Sequence, residues 1–236
     1  MGLFGKKKDS SLRTTRSALE EAGDPGATKG AGGAVTRLIQ SLLAVGIDGR
    51  PPFASASSVA DRALDKTGSV DKAIKLLTRS HVRGGATGGF ITGLGGFATM
   101  PVAIPANVFE FYVQATRLVA AIARLRGYDV TDPTVRTAVL LTLVGSDADD
   151  VLRKAGVTVG GGMATGLALK RLPASAMMVI NKAIGFRLLR TVGEKTLTRF
   201  GKAIPFIGGA VGGGVDGWMM SRIARSARRE FPALEG

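Results

Sequence analysis

The stretch that decides the reading is Gly84-Gly85-Ala86-Thr87-Gly88-Gly89-Phe90-Ile91-Thr92-Gly93-Leu94-Gly95-Gly96-Phe97-Ala98-Thr99-Met100-Pro101-Val102-Ala103-Ile104-Pro105-Ala106-Asn107-Val108-Phe109: twenty-six residues without a charge, seven of the first thirteen being glycine. The run exceeds the ~20 apolar residues that cross a bilayer, but Pro101 and Pro105 interrupt its end, which argues against a straight spanning helix. Gly84/Gly88, Gly85/Gly89 and Gly89/Gly93 are spaced four apart, and on a helix such pairs form a flat face on which two backbones approach closely. Interior glycines each cost roughly 1 kcal/mol relative to alanine, so this density needs a packing reason. Two arrangements fit: a re-entrant hairpin covered by protein at membrane depth, or two short helices packed closely in a soluble core.

Working outward, two further apolar glycine-rich stretches, Ala155–Leu169 and Ala203–Val215, repeat this character without a fixed period. The second places Gly208 and Gly212 at the same spacing. Helical periodicity surrounds these stretches. Val35, Leu38, Ile39, Leu42 and Val45 predict a helix stopped by Asp48-Gly49-Arg50-Pro51-Pro52. A short helix follows over about 58–66, and Ser69 is placed to cap the next. Asn107 is read as the cap of a strong helix running to Arg126 and closed by Gly127, and Asp132-Pro133 starts one that ends at Gly145. Ser146 with Asp149 resembles a capping box. Little of the chain alternates with period two, so the expectation is an all-α protein: a mobile basic leader over 1–33, then a single helical domain over 34–236 with glycine-rich apolar hairpins.

Charge distribution points to a partner. The chain of 236 residues carries a formal charge of +14 with 45% hydrophobic residues and no cysteine. Residues 1–83 hold fourteen Lys/Arg against eight Asp/Glu, residues 84–169 six against six, and residues 170–236 twelve against four. A neutral apolar middle between basic flanks suits an anionic membrane surface or lipid better than nucleic acid, since no stacking aromatics are seen to interleave the basic residues. Lys6, Lys7 and Lys8 beside Leu3 and Phe4 form one candidate membrane-surface cluster, or simply a basic tail, and Arg222, Arg225, Arg228 and Arg229 form a second on the last helix. A secretory signal is not recognised at the start. The absence of cysteine agrees with a cytoplasmic protein, placed at or partly in the inner face of the cell membrane.

Chemistry-bearing residues are few. Glu110, Gln114, Arg117 and Arg124 share one stripe of an otherwise apolar helix. The plain reading is a solvated face; were that face buried, Glu110 and Arg117 would have to be paired, with Gln114 able to bridge them. Asp216 is read as the cap of the final helix. Gly212-Gly213-Gly214-Val215-Asp216-Gly217 matches a dinucleotide pattern but lacks the strand and following acid that such a site needs. The single histidine, His81, excludes a two-histidine metal motif and reads as a structural residue at a helix end. No metal or cofactor is expected.

The string Gly89–Gly96, followed by Pro101-Val102-Ala103-Ile104-Pro105-Ala106-Asn107, resembles the EcsC-like family. So do Tyr112-Val113-Gln114 with Arg117, Gly127-Tyr128-Asp129, Ile180-Asn181-Lys182, Gly185-Phe186-Arg187-Leu188, Gly193-Glu194-Lys195, Gly201-Lys202-Ala203-Ile204-Pro205, Gly208-Gly209 and Asp216, in that order. The resemblance covers about residues 34–232. It departs from the family pattern at Thr196-Leu197-Thr198-Arg199. It implies an accessory role near membrane transport or secretion, with a membrane transporter as partner, and carries over no catalytic residues. Asn181, Lys182, Arg187 and Glu194 join Glu110, Gln114, Arg117 and Asp216 as polar candidates. The leading expectation is therefore a non-catalytic, membrane-associated binding protein. A soluble binder of lipid or another hydrophobic ligand is the alternative, and an enzyme using Glu110, Arg117, Glu194 and Lys182 comes third.

Overall fold

A helix whose middle is buried around its whole circumference anchors the structure. In a computed structural model that describes residues 30–51, 53–84, 106–145, 148, 151–152, 176–188 and 208–234, the described residues fold as one all-helical domain without a strand. In chain order the helices are α1 (Gly30–Ser41), continued by a π-helical turn (Leu42–Ile47), α2 (Ala56–Thr67), α3 (Val70–Gly84), α4 (Ala106–Leu125), α5 (Pro133–Val144) and α6 (Gly208–Glu230), with a further helical stretch over 176–188 between α5 and α6.

Every residue of α4 from Ala115 to Ala123 is buried. A helix so apolar on all sides has no solvent face to present and belongs at the centre of a bundle. It packs against the π-helical turn, α2, α3, α5 and α6. Thr116 and Thr142, buried on α4 and α5, return their hydroxyl protons to the carbonyls of Tyr112 at 2.7 Å and Ala138 at 2.8 Å, which satisfies them without an outside partner.

The caps explain where the chain turns. Ser55 accepts the Ser58 N–H at 3.1 Å at the start of α2, and Gly68, at φ +64°, ends it. Asp132 accepts the Thr134 N–H at 2.7 Å and Pro133 occupies the first position of α5, as the Asp-Pro pair predicts. At the end of α4 the Tyr128 N–H reaches the Ala123 carbonyl and the Gly127 N–H the Arg124 carbonyl, both at 3.0 Å; this closure needs the positive φ of +92° that Gly127 supplies. Two starts differ from expectation. Asn107 lies inside α4, which begins at Ala106, and α6 begins at Gly208. Asp216 is therefore in the interior of α6 and is not its cap, because the glycine-rich stretch ahead of it continues the helix.

Two glycines allow close helix contacts. A Cβ on Gly185 would lie 2.6 Å from Val35 Cγ1, so the 176–188 helix sits directly on α1. A Cβ on Gly46 would lie 2.8 Å from the Thr116 side chain, which brings the π-helical turn onto α4. Gly84 is the last residue of α3, and Gly208 and Gly212 lie on helical backbone in α6. Gly85, Gly88, Gly89 and Gly93, with the rest of the deciding stretch up to Pro105, fall outside the described residues, as do Lys6, Lys7, Lys8, Glu194 and the Ser146/Asp149 pair. No described helix is long and apolar enough to cross a membrane.

Candidate functional site

Three separate places gather the polar and cationic side chains. The first is the seam between α4, α3 and the π-helical turn. Arg117 is only 7% exposed, so the expectation of a solvated stripe fails at its centre. Its guanidinium donates to the Val45 carbonyl at 3.0 Å and lies 5.6 Å from the centre of the Phe53 ring. The last carbonyls of a helix lack intrahelical donors, and Arg117 supplies one to the π-helical turn. The aromatic face adds attraction for the cation. Among the described residues its Nε–H donates no hydrogen bond and Arg117 forms no ion pair. Burial lowers its affinity for a proton below the usual arginine range. Glu110 and Gln114 are half-buried on the same helix. Burial raises the Glu110 carboxyl above the ordinary carboxylate range. The arginine is thus held by a carbonyl and a ring, and no Gln114 bridge to Glu110 is seen among the described residues.

His81, at the end of α3, faces the same seam. Its Nδ1 lies 2.9 Å from the Leu77 carbonyl oxygen, which accepts the ring proton. Burial depresses its basicity below the ordinary 6.5, the Leu77 bond opposes this, and the charge of Arg117 adds to the depression. Its place in the last turn of α3 is the one expected, and the bond ties the ring to its own helix.

The second place is a groove of about 850 Å³ between α1, the start of α5 and the 176–188 helix. Val35, Ile39, Leu43 and Met177 give it apolar walls, and Asn181 and Lys182 bring two of the polar candidates to it. The Asn181 Oδ1 is buried and accepts no hydrogen bond among the described residues. Arg136, also in the wall, is held by Asp48 through two parallel bonds of 2.6 and 2.7 Å. Arg187 lies half-buried further along the 176–188 helix.

The third place is the outer face of α6. Gly217, Met220, Ala224, Ala227 and Phe231 turn inward, while Trp218, Arg222, Arg225 and Arg229 are exposed at spacings of four, three and four, which is one stripe of a helix. Trp218 is 57% exposed, and the Arg222 guanidinium stands 4.9 Å from the centre of its ring. Arg228 is half-buried and Asp216 likewise. The expectation that no aromatic interleaves the basic residues is overturned here by Trp218.

A model of the EcsC protein family matches residues 54–232, about three quarters of the chain and every described helix but α1 with its π-helical turn. The chain belongs to the EcsC protein family. No curated protein and no solved structure matches it significantly. The EcsC match spans Arg117, Asn181 and Lys182, and it also spans the arginine stripe of α6. It begins after Val35 and Ile39, so one wall of the groove lies ahead of it.

Of the residues singled out from the sequence, Arg117 lies in the first place, Asn181 and Lys182 in the second, and Arg222, Arg225 and Arg229 in the third. Phe53, Trp218 and the apolar lining of the groove join them only in the structure. The spacing of Trp218 with Arg222, Arg225 and Arg229 is legible in the sequence once α6 is known to begin before Asp216.

Proposed function

We propose that this EcsC family member is a peripheral membrane protein without catalysis, docking on an anionic lipid surface at the inner face of the cell membrane through the outer face of α6. The observation that carries this reading is the exposed row Trp218, Arg222, Arg225 and Arg229, with an apolar face directly behind it in the core. An aromatic ring that tolerates the headgroup layer, next to guanidinium groups that pair with phosphate, is the chemistry of an interfacial helix. Each arginine near an anionic surface contributes about 1 kcal/mol. The dispersal of polar candidates over three places supports a binding role over a single catalytic constellation. The family resemblance adds a membrane transporter as the kind of protein it would assist.

Vesicle co-sedimentation tests this. The full chain is expected to bind phosphatidylglycerol-containing vesicles, to ignore phosphatidylcholine vesicles, and to release when salt is raised. The triple variant R222E/R225E/R229E should lose binding, and W218A should weaken it. Equal binding of wild type and triple variant, or tighter binding to double-stranded DNA than to anionic vesicles, overturns the reading.

A further inference from the structure

We infer that the groove between α1, the start of α5 and the 176–188 helix is a binding site for a single anionic amphiphile, a molecule with one acyl chain and a negatively charged head. The inference rests on the groove alone and is independent of how α6 meets a surface. Its volume of about 850 Å³ falls within the roughly 300–1,000 Å³ of small-molecule sites. The walls offered by Val35, Ile39, Leu43 and Met177 are aliphatic or thioether, and methionine adapts its shape to an irregular chain. Met178, half exposed at the same groove, leaves apolar surface facing solvent that an acyl chain would cover.

The polar lining selects the head. Arg37, Arg136 and Lys182 line the groove, and among the described residues no acidic one does. Asp48 neutralises Arg136, whereas Arg37 is exposed on α1, so the balance is cationic. Asn181 adds a buried amide whose oxygen has no donor among the described residues. A buried amide oxygen without a donor is costly, and with the side chain turned toward the groove a ligand hydroxyl would recover that cost by donating to it. Turned by half a revolution, the same amide donates its N–H to a carboxylate or phosphate oxygen. A purely apolar ligand would leave the amide unsatisfied and bring no negative charge to Arg37.

Fluorescence titration of the purified full chain with cis-parinaric acid, without vesicles, tests the site. Saturable enhancement at micromolar concentration is expected, with a trimethylammonium amphiphile of equal chain length binding at least about tenfold more weakly. M178W, which fills the groove from its rim, and R37E/K182E, which reverses its charge, should each weaken parinarate binding about tenfold or more, with circular dichroism and Tm retained. Should either variant fail to fold, Q40E places a negative charge on an exposed residue of the same lining and should weaken binding likewise. R222E/R225E/R229E should bind parinarate as the wild type does, which separates this site from α6. Absence of saturable binding, equal binding of the cationic amphiphile, or wild-type affinity in the folded groove variants overturns the assignment.

Discussion

Arg117 and His81 share one desolvated seam, and the physics of the two differs. Arg117 has a carbonyl and an aromatic ring for company and no carboxylate among the described residues, so its burial is a cost carried by the rest of the core. Replacing it with a residue of similar length and no charge removes that cost, while truncation leaves a hole. Arg117→Met is expected to unfold at the same or a higher denaturant concentration than the wild type, and Arg117→Ala to lose about 2–4 kcal/mol, both read from urea denaturation. A loss for methionine as large as for alanine would mean that the charge itself holds the π-helical turn. His81 gives a pH dependence. Its folded-state basicity is depressed below 6.5, so the native state binds fewer protons there than the unfolded chain. The stabilisation is complete above 6.5 and is lost as pH falls toward the depressed value. His81 is the only histidine. The urea midpoint should fall between pH 7.5 and 5.5 in the wild type and much less in His81→Gln. Glu110 acts with the opposite sign: its raised value means that ionisation on going to neutral pH weakens the fold. Glu110→Gln should therefore be more stable than wild type at pH 7 and gain little at pH 4.

At the level of helices, what the sequence made legible was whatever depends on neighbours along the chain. Asp132-Pro133 and Gly127 give α5 its start and α4 its end because caps and left-handed closures are local chemistry. The burial of Arg117 was not legible, since a lone arginine on an apolar helix looks the same whether the facing element is water or a π-helical turn seventy residues away. Asp216 misled, because reading it as a cap starts the last helix there. Gly208 to Gly214 continue that helix ahead of it, since tertiary packing outweighs a propensity deficit of about 1 kcal/mol per residue. Conversely Gly185, which stands alone among the described residues of its helix, marks the tightest helix–helix approach described, and no ladder announced it. Gly185→Ala is expected to cost about 1–3 kcal/mol by pushing its methyl group against Val35, and the double variant with Val35→Ala to recover much of the loss in a double-mutant cycle. Additive losses would show that the two helices do not meet there. The groove shares this origin: its walls come from three segments far apart in sequence, so neither its apolar lining nor the meeting of Asn181 with α1 had a signal in any one of them.

Across the whole molecule, stability and surface charge are separable. The core around α4 is aliphatic, and the described ion pairs, Arg124–Asp61, Arg126–Asp71 and Arg136–Asp48, lie at the periphery with at least one partner about half exposed or more. Such pairs contribute roughly 0–1 kcal/mol each and are screened by salt. Raising salt from roughly 0.05 to 0.5 M, which shortens the screening length severalfold, should thus leave Tm nearly unchanged by calorimetry while releasing the protein from anionic vesicles. The Tyr128 ring packs edge-on to Phe231 at 5.1 Å, and the Leu234 N–H donates to the Arg126 carbonyl at 3.1 Å. These contacts pin the far end of α6 to the turn between α4 and α5, so the arginine row is a stiff strip fastened at one end. Such a strip arrives at a charged sheet already shaped, with no ordering left to do on contact. Its encounter rate should rise steeply as the sheet gains negative charge, giving quick and reversible landings.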